Sequence, residues 1–178
     1  MASGWIWDGS NWYYANVIGR MQTGWVRNGG SWYYLEDSGA MATGWRMVDG
    51  DWYYLSGSGA MLTGWQKIGG SWYLLDDSGA MLTGWQQVDG VWYWLDASGA
   101  MATGWQWVDG SWYLLSGSGA MLTGWQKVGG VWYYLYFSGV MARGCWVGDY
   151  YLASSGAVAT NQWIDGRWWV GADGKWIG

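Results

Sequence analysis

The side chains able to do chemistry in this sequence are overwhelmingly aromatic, and they recur. Gly-Trp stands at Gly4-Trp5, Gly24-Trp25, Gly44-Trp45, Gly64-Trp65, Gly84-Trp85, Gly104-Trp105 and Gly124-Trp125, a step of 20 residues each time. A second run keeps the same step: Trp12-Tyr13-Tyr14, Trp32-Tyr33-Tyr34, Trp52-Tyr53-Tyr54, Trp72-Tyr73-Leu74, Trp92-Tyr93-Trp94, Trp112-Tyr113-Leu114 and Trp132-Tyr133-Tyr134. A Met follows each run, from Met21 to Met141. A core built only for packing would favour Leu, Ile and Val, which carry no polar atom in need of a partner. Repeated Trp, Trp and Tyr on one face suit a different task. Several electron-rich rings around one point recognise a quaternary ammonium.

Other chemistries lose their residues. The 178-residue chain has 22 Trp, 14 Tyr and 33 Gly, no His, no Pro and one Cys. Without His, the commonest general base and metal ligand is missing, and neither a catalytic set nor a metal site is expected. Cys145 has no His to activate it and no second thiol to pair with. The acidic pairs Glu36-Asp37 and Asp76-Asp77 sit in loops, and sequence neighbours point apart, unlike two carboxylates facing one glycosidic bond. Gly57-x-Gly59 and Gly117-x-Gly119 lack the Lys of a phosphate loop. The net charge of −5 argues against nucleic acid. No apolar run is long enough to span a membrane, and no cofactor is implied.

The elements that must position the rings are short hairpins. In the third copy, Trp45-Arg46-Met47-Val48 and Asp51-Trp52-Tyr53-Tyr54-Leu55 flank Asp49-Gly50, a two-residue turn signal. Closing that turn sets Val48 opposite Asp51, Met47 opposite Trp52, Arg46 opposite Tyr53 and Trp45 opposite Tyr54. Because side chains alternate faces, Trp45, Trp52 and Tyr54 share one face and Tyr53 and Leu55 the other. The second face reads as core, as at Tyr33 and Leu35. A lone hairpin is barely stable in water; a stack can bury each face against a neighbour. The expected fold is therefore all-β, a repeat solenoid of stacked β-hairpins. Residues 1–142 hold seven regular repeats. Residues 143–178 read as degenerate terminal repeats, with Cys145 at the Trp position and a last run shortened to Tyr150-Tyr151-Leu152.

The motif Gly-Trp-x₆-Trp-Tyr-Tyr-Leu-x₃-Gly-Ala-Met-x-Thr-Gly-Trp, as in Gly24 to Trp45, resembles the choline-binding repeats of bacterial surface proteins and cell-wall lytic enzymes. The resemblance covers residues 4–142 well and the remainder loosely. It implies a left-handed superhelix of hairpins. It also implies aromatic cages between successive repeats, each made by two Trp of one hairpin, an aromatic of the next and a nearby linking Met. Carried onto this sequence, the cages are Trp5/Trp12/Tyr34, Trp25/Trp32/Tyr54, Trp65/Trp72/Trp94, Trp105/Trp112/Tyr134 and Trp125/Trp132/Tyr151, with Met21, Met41, Met81 and Met121 beside them. Trp45/Trp52/Leu74 and Trp85/Trp92/Leu114 would lack a ring and bind weakly. The implied role is non-catalytic anchoring, on a secreted or surface protein, to phosphocholine of wall- or membrane-linked teichoic acid. Any secretion signal would lie outside the given residues.

Two alternatives come from other classes. Aromatic platforms also stack on sugars, so a glucan-binding module is one, with Gln66, Gln86, Gln106 and Gln126 as hydrogen-bonding partners. An adhesive or structural surface protein is the other, with homodimerisation through the irregular C-terminal repeats.

Overall fold

The computed structural model describes residues 3–177. Among them there is no helix, and eighteen strands form nine two-stranded sheets, each one hairpin. The strands are β1 (Gly4–Trp7), β2 (Trp12–Ala15), β3 (Gly24–Asn28), β4 (Ser31–Leu35), β5 (Gly44–Val48), β6 (Asp51–Leu55), β7 (Gly64–Ile68), β8 (Ser71–Leu75), β9 (Gly84–Val88), β10 (Val91–Leu95), β11 (Gly104–Val108), β12 (Ser111–Leu115), β13 (Gly124–Val128), β14 (Val131–Leu135), β15 (Cys145–Val147), β16 (Tyr150–Leu152), β17 (Gln162–Ile164) and β18 (Trp168–Val170). Residues fall into two compact units, Met1–Gly84 with Leu95–Met101, and Trp85–Trp94 with Ala102–Gly178. Each is an all-β stack of hairpins.

The β5–β6 register matches the expectation in full: Trp45 faces Tyr54, Arg46 faces Tyr53, Met47 faces Trp52 and Val48 faces Asp51. Asp49 and Gly50 close the turn with φ of 53° and 99°. Both central residues need positive φ in a type I′ turn, whose twist suits a hairpin, and Asp tolerates that region better than most side chains.

What makes a stack of separate sheets cohere is visible at each connection. The Met41 N–H donates to the Trp12 carbonyl at 2.7 Å, so the segment after the second hairpin is tied to the second strand of the first. The same bond recurs from Met81 to Trp52 at 2.7 Å, from Met121 to Trp92 at 2.8 Å and from Val158 to Trp132 at 2.9 Å. The core comes from the last residue of each second strand. Leu35, Leu55, Leu75 and Leu95 in one unit, and Leu135, Leu152 and Val170 in the other, are almost completely buried.

The C-terminal hairpins show a slip in register. Cys145 pairs with Leu152, as Gly124 pairs with Leu135, and Trp146 pairs with Tyr151, as Trp125 pairs with Tyr134. Trp146, not Cys145, therefore holds the place of the first Trp. What this hairpin lacks is the second Trp. Asp149 takes its place, its carbonyl accepting the Trp176 N–H at 2.8 Å.

Candidate functional site

Four equivalent cavities open between stacked hairpins. The first, about 330 Å³, is lined by Trp5, Trp12, Tyr33 and Met41 with Gly57 and Ser58. The second, about 320 Å³, has Trp45, Trp52, Tyr73 and Met81 with Ala97 and Ser98. The third, about 350 Å³, has Trp85, Trp92, Tyr113 and Met121 with Phe137 and Ser138. The fourth, about 330 Å³, has Trp125, Trp132, Tyr150, Val158 and Asp173.

The third wall is the middle Tyr of the next hairpin, not the residue after it. Trp5 lies edge-to-face with Tyr33 at 4.8 Å, Trp45 with Tyr73 at 5.0 Å, Trp85 with Tyr113 at 4.8 Å and Trp125 with Tyr150 at 5.2 Å. The same contact joins Trp25 to Tyr53 at 4.9 Å and Trp105 to Tyr133 at 5.0 Å. This corrects the cross-repeat assignment. Tyr34, Tyr54, Trp94, Tyr134 and Tyr151 instead pack on the first Trp of their own hairpins, namely Trp25, Trp45, Trp85, Trp125 and Trp146, at 5.0 to 5.3 Å. The reason is alternation. Hairpins stacked in one sense bring the Trp-Trp face of one against the opposite face of the next, and only the middle ring lies on that opposite face.

Two further expectations change with it. The cavities at Trp45/Trp52 and Trp85/Trp92 do not lack a third ring, because Tyr73 and Tyr113 line them while Leu74 and Leu114 are buried and line neither. Met21 lines none of the four cavities; it packs against Gly39. Each cavity Met or Val is tied to the second Trp of the hairpin before the one it follows, and among the described residues Met21 follows the first hairpin, so no such pair stands behind it. The middle Tyr, read from sequence as core beside its Leu, is a cavity wall as well.

Electrostatics within the walls favour a cation. No Lys or Arg lines any of the four cavities, and the nearest cation to a wall ring is the Lys127 ammonium, 5.7 Å from the centroid of Trp132 in the fourth. In two of them the paired Trp rings are close to perpendicular, at 90° for Trp45–Trp52 and 87° for Trp85–Trp92, with centroids 6.4 Å apart. The second Trp of each pair leaves 39% to 45% of its surface open. An uncovered ring face in a concave site offers its negative quadrupole to a ligand. Beside Trp25, the Tyr53 hydroxyl is raised above its ordinary value of 10.0 by burial and then by the carboxylates Asp51, Asp76 and Asp49, so the ring stays neutral.

The sugar-binding candidates find other work. Gln66, Gln106 and Gln126 donate their side-chain amides to the Thr63, Thr103 and Thr123 carbonyls at 2.7 to 2.9 Å, bracing the connections. The acidic pairs are likewise engaged: Glu36 holds Arg46 at 2.6 Å, and Asp76 accepts from Ser78 and from the Ala80 N–H.

The choline-binding repeat profile matches residues 2–43, 42–83 and 82–123. The chain belongs to the choline-binding repeat family. A second choline-binding repeat profile matches residues 140–176, and a putative cell wall binding repeat matches 123–141. No curated protein matches the chain. Among solved structures, choline binding protein F from Streptococcus pneumoniae, in the presence of a peptidoglycan analogue, is 43% identical. Its TM-score is 0.85, and the alignment covers 89% of this chain and 58% of that one. CbpJ from Streptococcus pneumoniae is also 43% identical, with a TM-score of 0.88 over 94% of this chain and 62% of its own. The choline-binding domain of CbpL from the same species is 36% identical, with a TM-score of 0.74 over all of this chain and 98% of that domain. The chain thus spans less than two thirds of the first two relatives.

In this choline-binding module the cavity edges vary. The turn that closes each one presents Gly57-Ser58, Ala97-Ser98, Phe137-Ser138 or, in the fourth, Asp173, and its glycine abuts the cavity Met or Val: Gly59 on Met41, Gly99 on Met81, Gly139 on Met121 and Gly174 on Val158. Phe137 is 96% exposed, extreme for so large an apolar side chain, yet it lines the third cavity. From sequence it was indistinguishable from any loop residue.

Proposed function

We propose that each of the four cavities holds the trimethylammonium group of one choline, and that the chain anchors non-covalently to phosphocholine displayed on teichoic acid at a bacterial surface. The observation that carries this reading is three neutral rings facing one cavity, with no cationic side chain on its wall. A desolvated cation–π contact is worth ~2 kcal/mol. Three give ~6 kcal/mol before the cost of fixing the ligand, and a net ~4 kcal/mol corresponds to a Kd of about 1 mM. A single weak site would not retain a protein on a wall, but several sites on a polymer bearing many cholines act through effective concentration. The Trp25/Trp32/Tyr53 and Trp105/Trp112/Tyr133 sets share the ring contact and serve as further sites. Residues 143–178 act as the degenerate end of the same module.

The test is retention of the whole chain on a choline-bearing surface with free choline or soluble glucan as competitor. Release by tens of millimolar choline, and not by glucan, is expected. Release by glucan alone would replace this reading with the carbohydrate one.

A further inference from the structure

The fourth cavity differs from the other three at two of its positions. Val158 stands where they have Met41, Met81 and Met121. The equivalence rests on the backbone: the Val158 N–H bonds the Trp132 carbonyl as each Met bonds its own second Trp, and Gly174 abuts Val158 as Gly59 abuts Met41. Asp173 stands where the closing turn otherwise carries Ser58, Ser98 or Ser138. Within that turn the Gly174 N–H bonds the Gly171 carbonyl at 3.0 Å, as the Gly59 N–H bonds Ser56 at 2.8 Å. Asp173 is exposed and lines the cavity, which places it at the cavity edge. Its Oδ1 accepts the Lys175 backbone N–H at 3.0 Å, while the Lys175 ammonium turns to Asp149 at 3.4 Å and the Lys127 ammonium lies over the Trp132 ring, 5.7 Å from its centroid.

Building on the choline reading, we propose that the Trp125/Trp132/Tyr150 cavity is selective for cations without an attached phosphate, taking free choline in preference to phosphocholine. The rings hold the ammonium in either case. In phosphocholine the phosphate follows the ammonium by two carbons and leaves the cage past Asp173, where like charges meet. The turns at Ser58 and Ser138 carry no carboxylate, and at Ser98 the Asp96 carboxylate is held within the turn, accepting the Ser98 N–H and hydroxyl and the Ala100 N–H. Unit charges about 7 Å apart in water change affinity about threefold, and more where apolar walls lower the local dielectric. Of the four cavities, the three edged by Ser then suit the wall polymer and the fourth is tuned to a different ligand state.

The experiment titrates the whole chain, labelled with ¹³C at Met and Val methyls, with choline and separately with phosphocholine. Met41, Met81 and Met121 report the Ser-edged cavities and Val158 the fourth. The ratio of phosphocholine to choline Kd at Val158 is expected to exceed that at the Met reporters by about three- to tenfold. It should fall to their level in Asp173→Asn and Asp173→Ser. Ser is a safe replacement in this turn, since the Ser38 Oγ already accepts the Ala40 N–H at 3.3 Å in the equivalent position. Equal ratios at all four reporters, or a high ratio at Val158 that survives both substitutions, would overturn the proposal. A silent Val158 beside responsive Met methyls would overturn it too, leaving the choline reading intact. Silence at all four would remove both.

Discussion

Replacing Tyr33 or Tyr34 by Leu separates the two possible third walls of the first cavity. Tyr33 stands 4.8 Å from Trp5 across the hairpin interface, edge-on at 66°, and lines the cavity. Tyr34 packs at 5.2 Å on Trp25 within its own hairpin. Removing the Tyr33 ring deletes one of three cation–π contacts, ~1–2 kcal/mol, or about five- to thirtyfold in choline Kd. It also deletes an edge-to-face pair worth ~0.5–1.5 kcal/mol of stability. Tyr34→Leu costs similar packing energy but leaves all three walls of the first cavity in place, so the Kd there should change less than about threefold. The assay is a choline titration of the full chain read at the Met41 methyl, with Met81 and Met121 as internal controls and thermal unfolding alongside. A loss confined to Tyr34→Leu would show that the ligand uses the ring of the first face after all. No loss in either variant would remove the aromatic cage as the source of affinity.

Other outcomes follow from the same geometry. Gly59→Ala should destabilise the chain by about 1–3 kcal/mol in denaturant titration and perturb the Met41 methyl, because φ there is 82° and a Cβ would collide with the Met41 side chain. Phe137→Gly should weaken choline about two- to fivefold at Met121 alone, with little change in Tm, because the lost contact is an exposed one. Asp76 has its carboxyl lowered below 3.8, first by the Ser78 hydroxyl and then by backbone N–H groups. A group lowered on folding contributes stability above its unfolded value, lost as pH falls through the folded one. Acid unfolding of Asp76→Asn, followed below pH ~4, should therefore be less steep than that of the unsubstituted chain.

The hairpins, their register and the two-faced distribution of rings were legible in the residues themselves. A 20-residue step, an Asp-Gly or Gly-Gly turn and strict alternation leave one way to pair β5 with β6, because a slip of one residue would exchange every side chain between faces. That logic failed where the turn shortens: near Cys145 the Gly-x pattern suggests that Cys replaces Trp, whereas backbone pairing gives that place to Trp146.

The composition of each cavity was decided in space. Sequence spacing names two Trp of one hairpin and offers two adjacent rings in the next. Only the sense of stacking selects Tyr33 over Tyr34, and with it restores the cavities at Trp45 and Trp85 that the Leu substitutions had suggested were incomplete. Stacking also brings in the closing turn from one hairpin further on, placing Phe137 about fifty residues from Trp85 and Asp173 a similar distance from Trp125. Local propensity and alternation act within one hairpin, so the sequence determined each hairpin alone. A cavity shared by three successive units depends on contacts that no single repeat contains.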